Sequence, residues 1–175
     1  MKTFKQFITE ANLYFNVFVE KTLKNNTIDI SQANEFLTPE YQYSGVIYKV
    51  LFVNKEEVLK YYNPEEGIQD AKGLASVIVK KFNPNRYVFY SKSLTGLDNL
   101  IKYPNLFKIS DDQIGVIYSK KTNIAIDLTK YEGKDPSIKK RLSQTQEVLD
   151  FEDIKINKID AVYLLTNSGW VLKTL

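Results

Sequence analysis

The side chains best suited to chemistry lie in three short segments of this chain. Tyr48 and Lys49 lie inside an apolar run, the segment 90–94 (Tyr-Ser-Lys-Ser-Leu) follows a second apolar run, and Glu147 opens a third. The chain contains no Cys and no His. Disulfides, thiolate nucleophiles, Ser-His-Asp triads and the common Cys- or His-ligated metal sites are therefore excluded, and we predict no metal site. Ser, Glu, Lys and Tyr are the groups left for catalysis.

The bulk composition indicates one ordinary globular domain. Of its 175 residues, 43% are hydrophobic and 26% are charged, which is typical of a soluble protein with a full core. The net charge of +3 comes from lysines scattered among acidic residues, so we expect a solvated surface and no specific nucleic-acid site. No apolar run approaches the roughly 20 residues needed to span a bilayer, and we expect no membrane partner.

The apolar periodicity and the turn residues predict the elements that must position these side chains. We expect helices over residues 1–23, 31–36, 55–62, 68–82 and 95–103, and strands over 45–53, 86–90, 114–119, 122–128, 147–151, 159–165 and 170–173. Lys120-Lys121 is interpreted as the turn of a hairpin, 136–144 as a loop, and Asn167-Ser168-Gly169 as the last turn. Helices come early and strands late, which predicts an α+β fold with N-terminal helices followed by a mixed, largely antiparallel sheet.

The three segments, in this order, resemble the active-site motifs of NAD-dependent ADP-ribosyltransferases of the arginine/serine/glutamate branch. In that branch the first strand ends in an aromatic-Arg pair, the second runs into an aromatic-Ser-Thr-Ser motif, and a later strand presents a Glu followed by apolar residues. The resemblance spans residues 43–165. It implies an ADP-ribosyltransferase-like fold, NAD as a substrate and a protein as the acceptor.

The resemblance assigns the catalytic roles as follows. Glu147 hydrogen-bonds the 2′-hydroxyl of the nicotinamide ribose and stabilises the positive charge that builds on that ribose as its bond to nicotinamide breaks. Ser91 holds the Glu147 carboxylate in position. Thr145 takes the place, two residues earlier, where arginine-modifying members have a second Glu, so an acceptor other than arginine is plausible. The alternative for Glu147 is a solvated Glu at a strand edge.

Cofactor contacts are assigned in the same way. Lys49 stands where the family has the Arg that grips the pyrophosphate and adenosine side of NAD, and a Lys supplies only a point charge there. Tyr90 and Ser93 line the NAD site, with Ser93 next to nicotinamide. Two simpler interpretations remain open: Ser93 is the N-cap of the following helix, and Lys49 extends along apolar neighbours into water. An exposed Lys92 replaces the usual Thr.

The first eleven residues resemble a different signal. Residues 1–11, with Ile8-Thr9-Glu10 before Ala11, are similar to the N-terminal capsid-targeting segment of internal head proteins in large tailed phages of the T-even type. A prohead protease cuts such segments after the Glu. The resemblance implies removal of residues 1–10, a single domain over 11–175, prohead scaffold and protease as partners, and a location inside the capsid and then in the host cytoplasm. Alternatively, these aromatic residues begin a longer helix that packs on the domain.

Three functions follow from these interpretations. The first is a virion-packaged mono-ADP-ribosyltransferase that modifies host proteins. The second is a catalytically inactive relative that binds or inhibits a host factor, which Lys49 and Thr145 favour. The third is a structural component of the phage head, which would have no NAD-sized cleft between the strands that carry Lys49, Ser91 and Glu147.

Overall fold

Two long strands form the centre of the sheet. β1 (Gln42–Asn54) and β5 (Gln113–Asp127) pair antiparallel over their length, with an irregularity between Tyr43 and Gly45. The other strands of the sheet are β4 (Tyr87–Ser91), β6 (Glu147–Phe151), β7 (Ala161–Thr166) and β8 (Gly169–Thr174), while β2 (Tyr62–Asn63) and β3 (Gly67–Ile68) form a separate pair. The computed structural model describes residues 3–63, 65–81, 86–103, 106–108, 110–151, 154–166 and 169–174.

Four of these strands form a closed ring of pairings. β1 meets β4 at Tyr48 and Ser91, β4 pairs with β6, β6 pairs with the end of β5, and β5 pairs with β1. All of these pairings are antiparallel. β7 then pairs with the first half of β5, and β8 pairs with β7. The strands that carry the three predicted motifs are therefore neighbours.

Six α-helices surround the strands in the described part of the chain. They are α1 (Phe4–Asn25), α2 (Ile30–Glu35), α3 (Lys55–Leu59), α4 (Ala71–Lys80), α5 (Leu94–Ile101) and α6 (Pro136–Thr145). The side chains of Thr3, Asp29, Asp70, Ser93 and Asp135 each accept a backbone N–H in the first turn of a helix. These caps explain where five of the helices begin, because the first N–H groups of a helix have no partner within it.

The core lies on both faces of the sheet. Leu74, Ala75 and Ile78 of α4 pack in one buried cluster with strand residues such as Tyr90. Leu97 and Leu100 of α5 pack on Val50 and Ile117 from the other side. Phe15 and Phe18 of α1 form the third cluster with Phe36 and Tyr41, which follow α2, and the rings of Phe15 and Tyr41 stack at 4.0 Å. Burial of these aromatic side chains fixes α1 on the domain.

The first turns of α1 extend beyond this packing. The helix is continuous from Phe4, but Phe7 is 57% and Ile8 40% exposed, whereas Phe15, Phe18 and Val19 are buried. The side chain of Phe4 lies outside the described part of the structure. Contacts of α1 with the domain include Asn12, which accepts the Tyr41 hydroxyl at 2.7 Å, and the buried apolar side chains begin at Phe15. Phe7 and Ile8 are not part of that buried cluster. None of the helices in the described part of the chain has the length and apolar character that a membrane crossing requires.

The predicted α+β class and antiparallel sheet are confirmed, but three features differ from expectation. Tyr62 and Ile68, expected in helices, lie in the paired strands β2 and β3. Residues 113–127 form one strand instead of a hairpin, because Lys120 is buried and its ammonium contacts Asp150 at 2.6 Å. The expected loop 136–144 is helix α6, with Asp135 as its N-cap and Pro136 in its first turn. Of the last predicted turn, Asn167 and Ser168 lie outside the described residues.

Candidate functional site

The site lies where β1 and β4 separate. The two strands pair at Tyr48 and Ser91 only, so the backbone groups beyond that point need other partners. The Lys49 ammonium donates to the Phe89 carbonyl at 3.2 Å and lies 5.4 Å from the centre of the Tyr90 ring. Its head group therefore bridges the gap between the strands, and the expectation of a Lys extending into water is wrong.

A cavity of about 170 Å³ lies at this gap. It is lined by Asn26, Lys49, Val50, Phe89, Leu97, Leu100, Leu106, Phe107 and Glu147. A cavity of about 150 Å³ admits one benzene ring, whereas sites for drug-sized ligands take roughly 300–1,000 Å³. The cavity thus has room for a single aromatic ring, with apolar walls and three polar residues.

Glu147 is fully buried in the wall of this cavity. Its Oε2 accepts the Nε–H of Arg141 at 2.8 Å and its Oε1 accepts Nη2 at 2.7 Å. The hydroxyl of Thr145 also lies within hydrogen-bond distance of Oε2, at 2.7 Å. The interpretation of Glu147 as a solvated residue at a strand edge is wrong, because both carboxylate oxygens have charged or polar partners inside the protein.

The end of α6 explains this arrangement. Gln146 adopts a left-handed conformation (φ 54°) directly after the helix, so β6 starts at once and turns Glu147 back beside the last helical turn. Arg141 and Thr145 are four residues apart and lie on the same helix face. The Arg141 guanidinium also lies 5.3 Å from the Tyr103 ring centre. The Arg141 side chain is consequently held both by the Glu147 carboxylate and by the Tyr103 ring.

Ser91 supports the site in a different way from that expected. Its hydroxyl is buried and lies 2.7 Å from the Thr145 carbonyl oxygen and 2.9 Å from that of Ser93. In the described part of the chain the Ser91 hydroxyl makes no hydrogen bond to the Glu147 carboxylate, although the two residues are opposite each other in the pairing of β4 with β6. Arg141 and Thr145 lie within hydrogen-bond distance of the carboxylate instead. A Cβ at Gly96 would lie 2.5 Å from both Ser91 Oγ and the Thr145 carbonyl oxygen, which shows how closely α5 approaches this point.

The neighbouring motif residues are structural. Ser93 is the N-cap of α5 and accepts the Gly96 N–H at 2.9 Å, which confirms the capping interpretation. Lys92, expected to be exposed, is only 18% exposed along its side chain and donates to Asp127 at 3.1 Å and Thr129 at 2.7 Å. Both residues anchor the turn between β4 and α5. Neither lines the cavity described above.

Tyr90 lies on the other face of β4. Successive strand residues face opposite sides, so Phe89 lines the cavity while Tyr90 is buried on the α4 side. The Tyr90 hydroxyl hydrogen-bonds that of Tyr118 at 2.8 Å, and the Lys120 ammonium lies 4.9 Å from the Tyr90 ring centre. The Tyr90 ring therefore lies next to the Lys49 ammonium, and Tyr90 is not among the residues that line the cavity.

Of the six predicted site residues, Lys49 and Glu147 line the cavity, whereas Ser91, Ser93, Thr145 and Tyr90 lie behind it. Sequence reasoning missed Arg141 and Asn26. Arg141 was placed in an expected loop, and nothing local in the sequence pairs it with Glu147. Asn26 follows the predicted helix 1–23, and nothing local in the sequence marks it as part of a site.

No protein-family model matches this chain, and a comparison with curated proteins finds no match. Its function must therefore be inferred from the residues around the cavity.

Proposed function

We propose that this chain is an NAD-dependent mono-ADP-ribosyltransferase, packaged in a phage virion, that acts on host proteins. The observation that carries the proposal is that Lys49 and Glu147, which are far apart in sequence, line one cavity. Tyr48, Ser91 and Glu147 also lie in one row across three adjacent strands. The order of motifs in the sequence thus corresponds to a cluster in space.

The cavity suits the nicotinamide end of NAD. Its volume of about 170 Å³ and its apolar walls fit one flat ring, so the remainder of NAD would lie outside it. Transfer of ADP-ribose breaks the bond between nicotinamide and ribose and leaves positive charge on the ribose. A carboxylate beside that ribose lowers the barrier electrostatically, and Glu147 is the only carboxylate among the residues described as lining the cavity.

Glu147 retains some capacity to bind a substrate hydroxyl. A carboxylate has about four acceptor sites, of which Arg141 takes two. The single proton of the Thr145 hydroxyl can go either to Glu147 Oε2 at 2.7 Å or to the Arg141 carbonyl at 2.8 Å. Oε1 keeps an acceptor site that Arg141 does not take, but the Glu147 side chain is 0% exposed, so a ribose 2′-hydroxyl reaches this oxygen only when the cavity wall moves. Arg141 orients the carboxylate, and it also offsets part of the negative charge that would act on the ribose.

Lys49 is the residue most altered from the family pattern. Its ammonium already donates to the Phe89 carbonyl, so it can offer a phosphate only a point charge at the cavity mouth. The Lys49→Arg variant adds donors that can form two parallel hydrogen bonds to a phosphate. We therefore expect Lys49→Arg to strengthen NAD binding.

A second function is favoured by the burial of Glu147. The carboxylate has no exposure to solvent and forms a bidentate pair with Arg141, an arrangement that also suits a purely structural ion pair. A catalytically inactive relative that binds or inhibits a host factor would keep this pair and the fold. Turnover of NAD distinguishes the two functions.

Packaging is supported by the exposed first turns of α1. Because Phe7 and Ile8 do not pack on the domain, they are accessible to a scaffold groove, and cleavage after Glu10 would leave the buried residues from Phe15 onward intact. Intact-mass analysis of the protein from mature virions should find Ala11 at the N-terminus. Full-length chains in mature heads would refute the targeting role.

The deciding experiment measures nicotinamide release and transfer of labelled ADP-ribose from NAD in host lysate. We expect activity in the wild type, stronger NAD binding in Lys49→Arg, and loss of activity in Glu147→Gln. Glu66→Gln is the matched control, because Glu66 is exposed and distant in sequence from the motifs. Absence of NAD binding and turnover in both the wild type and Lys49→Arg would establish the inactive binding protein as the better account.

A further inference from the structure

The last turn of α1 reaches the cavity. Asn26, the C-cap of α1, lines the cavity together with Glu147. The Arg141 guanidinium connects the two, since its Nη1 donates to the Leu23 carbonyl at 3.3 Å while Nε and Nη2 hold Glu147. One buried side chain therefore fixes the end of α1 beside the carboxylate.

Asn26 is exposed to solvent and lines the cavity, so its carboxamide can exchange water for a ligand. Lys49 and Glu147 have partners inside the protein, whereas the Asn26 side chain makes no hydrogen bond to any other described residue. A carboxamide carries both a donor and an acceptor, so it can form two complementary hydrogen bonds with a second carboxamide. Polar groups of this kind fix ligand orientation in otherwise apolar sites.

We propose that Asn26 recognises the carboxamide of the ring bound in the cavity and is a specificity-determining residue of the site. The identity of that ring rests on the function proposed above. α1, which lies outside the segment carrying the three motifs, thus completes the site. The cavity selects an aromatic carboxamide over a bare ring of the same shape.

The backbone at Asn26 allows a clean test. Its φ of 50° and ψ of 30° lie in the left-handed region, where Asn is tolerated and Gly is preferred. Asn26→Gly therefore keeps the helix cap and removes the amide. Asn26→Asp keeps a similar shape and the acceptor but replaces the NH2 donor with a second, charged acceptor oxygen, so it tests the donor separately.

The experiment is a titration of isotope-labelled full-length protein with nicotinamide and with pyridine, followed by NMR shifts of the residues around the cavity. We expect the wild type to bind nicotinamide more tightly than pyridine. Asn26→Gly should weaken nicotinamide binding roughly five- to hundredfold, the effect of two lost hydrogen bonds, and leave pyridine binding unchanged. Asn26→Asp, which keeps the acceptor, should lose only part of the preference for nicotinamide. NAD binding by the wild type is measured in the same series.

Each outcome bears on one proposal. An unchanged preference in Asn26→Gly, or an equal loss for both ligands, overturns the role of Asn26 and leaves the enzyme proposal intact. NAD binding without nicotinamide binding also overturns the inference. Failure of the wild type to bind NAD, nicotinamide or pyridine overturns the proposed function itself.

Discussion

Removal of Glu147 should destabilise the protein strongly. Glu147→Ala would leave the Arg141 guanidinium, whose side chain is 9% exposed, without its two charged hydrogen bonds. Loss of one partner of a buried ion pair costs about 3–5 kcal/mol, a large part of the roughly 5–15 kcal/mol that stabilises a typical domain. For a chain of this size the melting temperature should fall by roughly 6–20 °C. An exposed Glu, as expected from sequence, would have contributed little stability.

Urea and thermal unfolding of four proteins test this expectation. Asp98→Ala is the matched control, because Asp98 pairs with Lys102 at 2.5 Å on the surface, where ion pairs contribute about 0–1 kcal/mol. The double variant Arg141→Met/Glu147→Leu should recover most of the wild-type stability, since apolar side chains can replace a buried pair at little cost. A loss in Glu147→Ala no larger than that in Asp98→Ala would refute the buried pair. Activity assays should therefore use Glu147→Gln, which keeps one carbonyl acceptor.

Three further outcomes are expected. Gly96→Ala should destabilise the protein by roughly 1–3 kcal/mol in urea unfolding, because its Cβ would press on two buried oxygens, whereas the exposed Thr95→Ala should change stability by less than about 0.5 kcal/mol. Burial and a hydrogen bond to a carboxylate raise the pKa of Tyr131 from 10.0 to about 12, so its contribution to stability is complete below pH 10 and is lost as the pH rises through 12. The decline in unfolding free energy over that window should be smaller in Tyr131→Phe, and an unchanged decline would contradict this. Deletion of residues 1–10 should change the unfolding free energy by less than about 1 kcal/mol. Phe15→Ala, by contrast, should lower the unfolding free energy by about 3–5 kcal/mol. A large effect of the deletion would show that residues 1–10 belong to the core.

Local patterns in the sequence were sufficient for the fold class and for most elements. The apolar faces of α4 and α5 and the strand 147–151 follow from periodicity, because alternation and helical spacing are properties of neighbouring residues. The N-cap role of Ser93 was predictable for the same reason. The order of the three motifs also lies in the sequence, although their proximity does not.

The tertiary structure decided the partners of the charged side chains. Lys120 in the middle of β5 resembled a turn residue until the closure of β1, β4, β6 and β5 placed Asp150 beside it. The partner of Glu147 depends on the left-handed Gln146, which sets the direction of β6 relative to α6. Lys120 is buried because a strand distant in sequence supplies its counter-charge, whereas Glu147 is buried because the turn at Gln146 brings Arg141, six residues away, beside it. The apolar pattern of the sequence specifies neither contact. For this reason the sequence could suggest Glu147 as a functional residue, whereas only the fold determined that Arg141 holds it and that Asn26 shares its cavity.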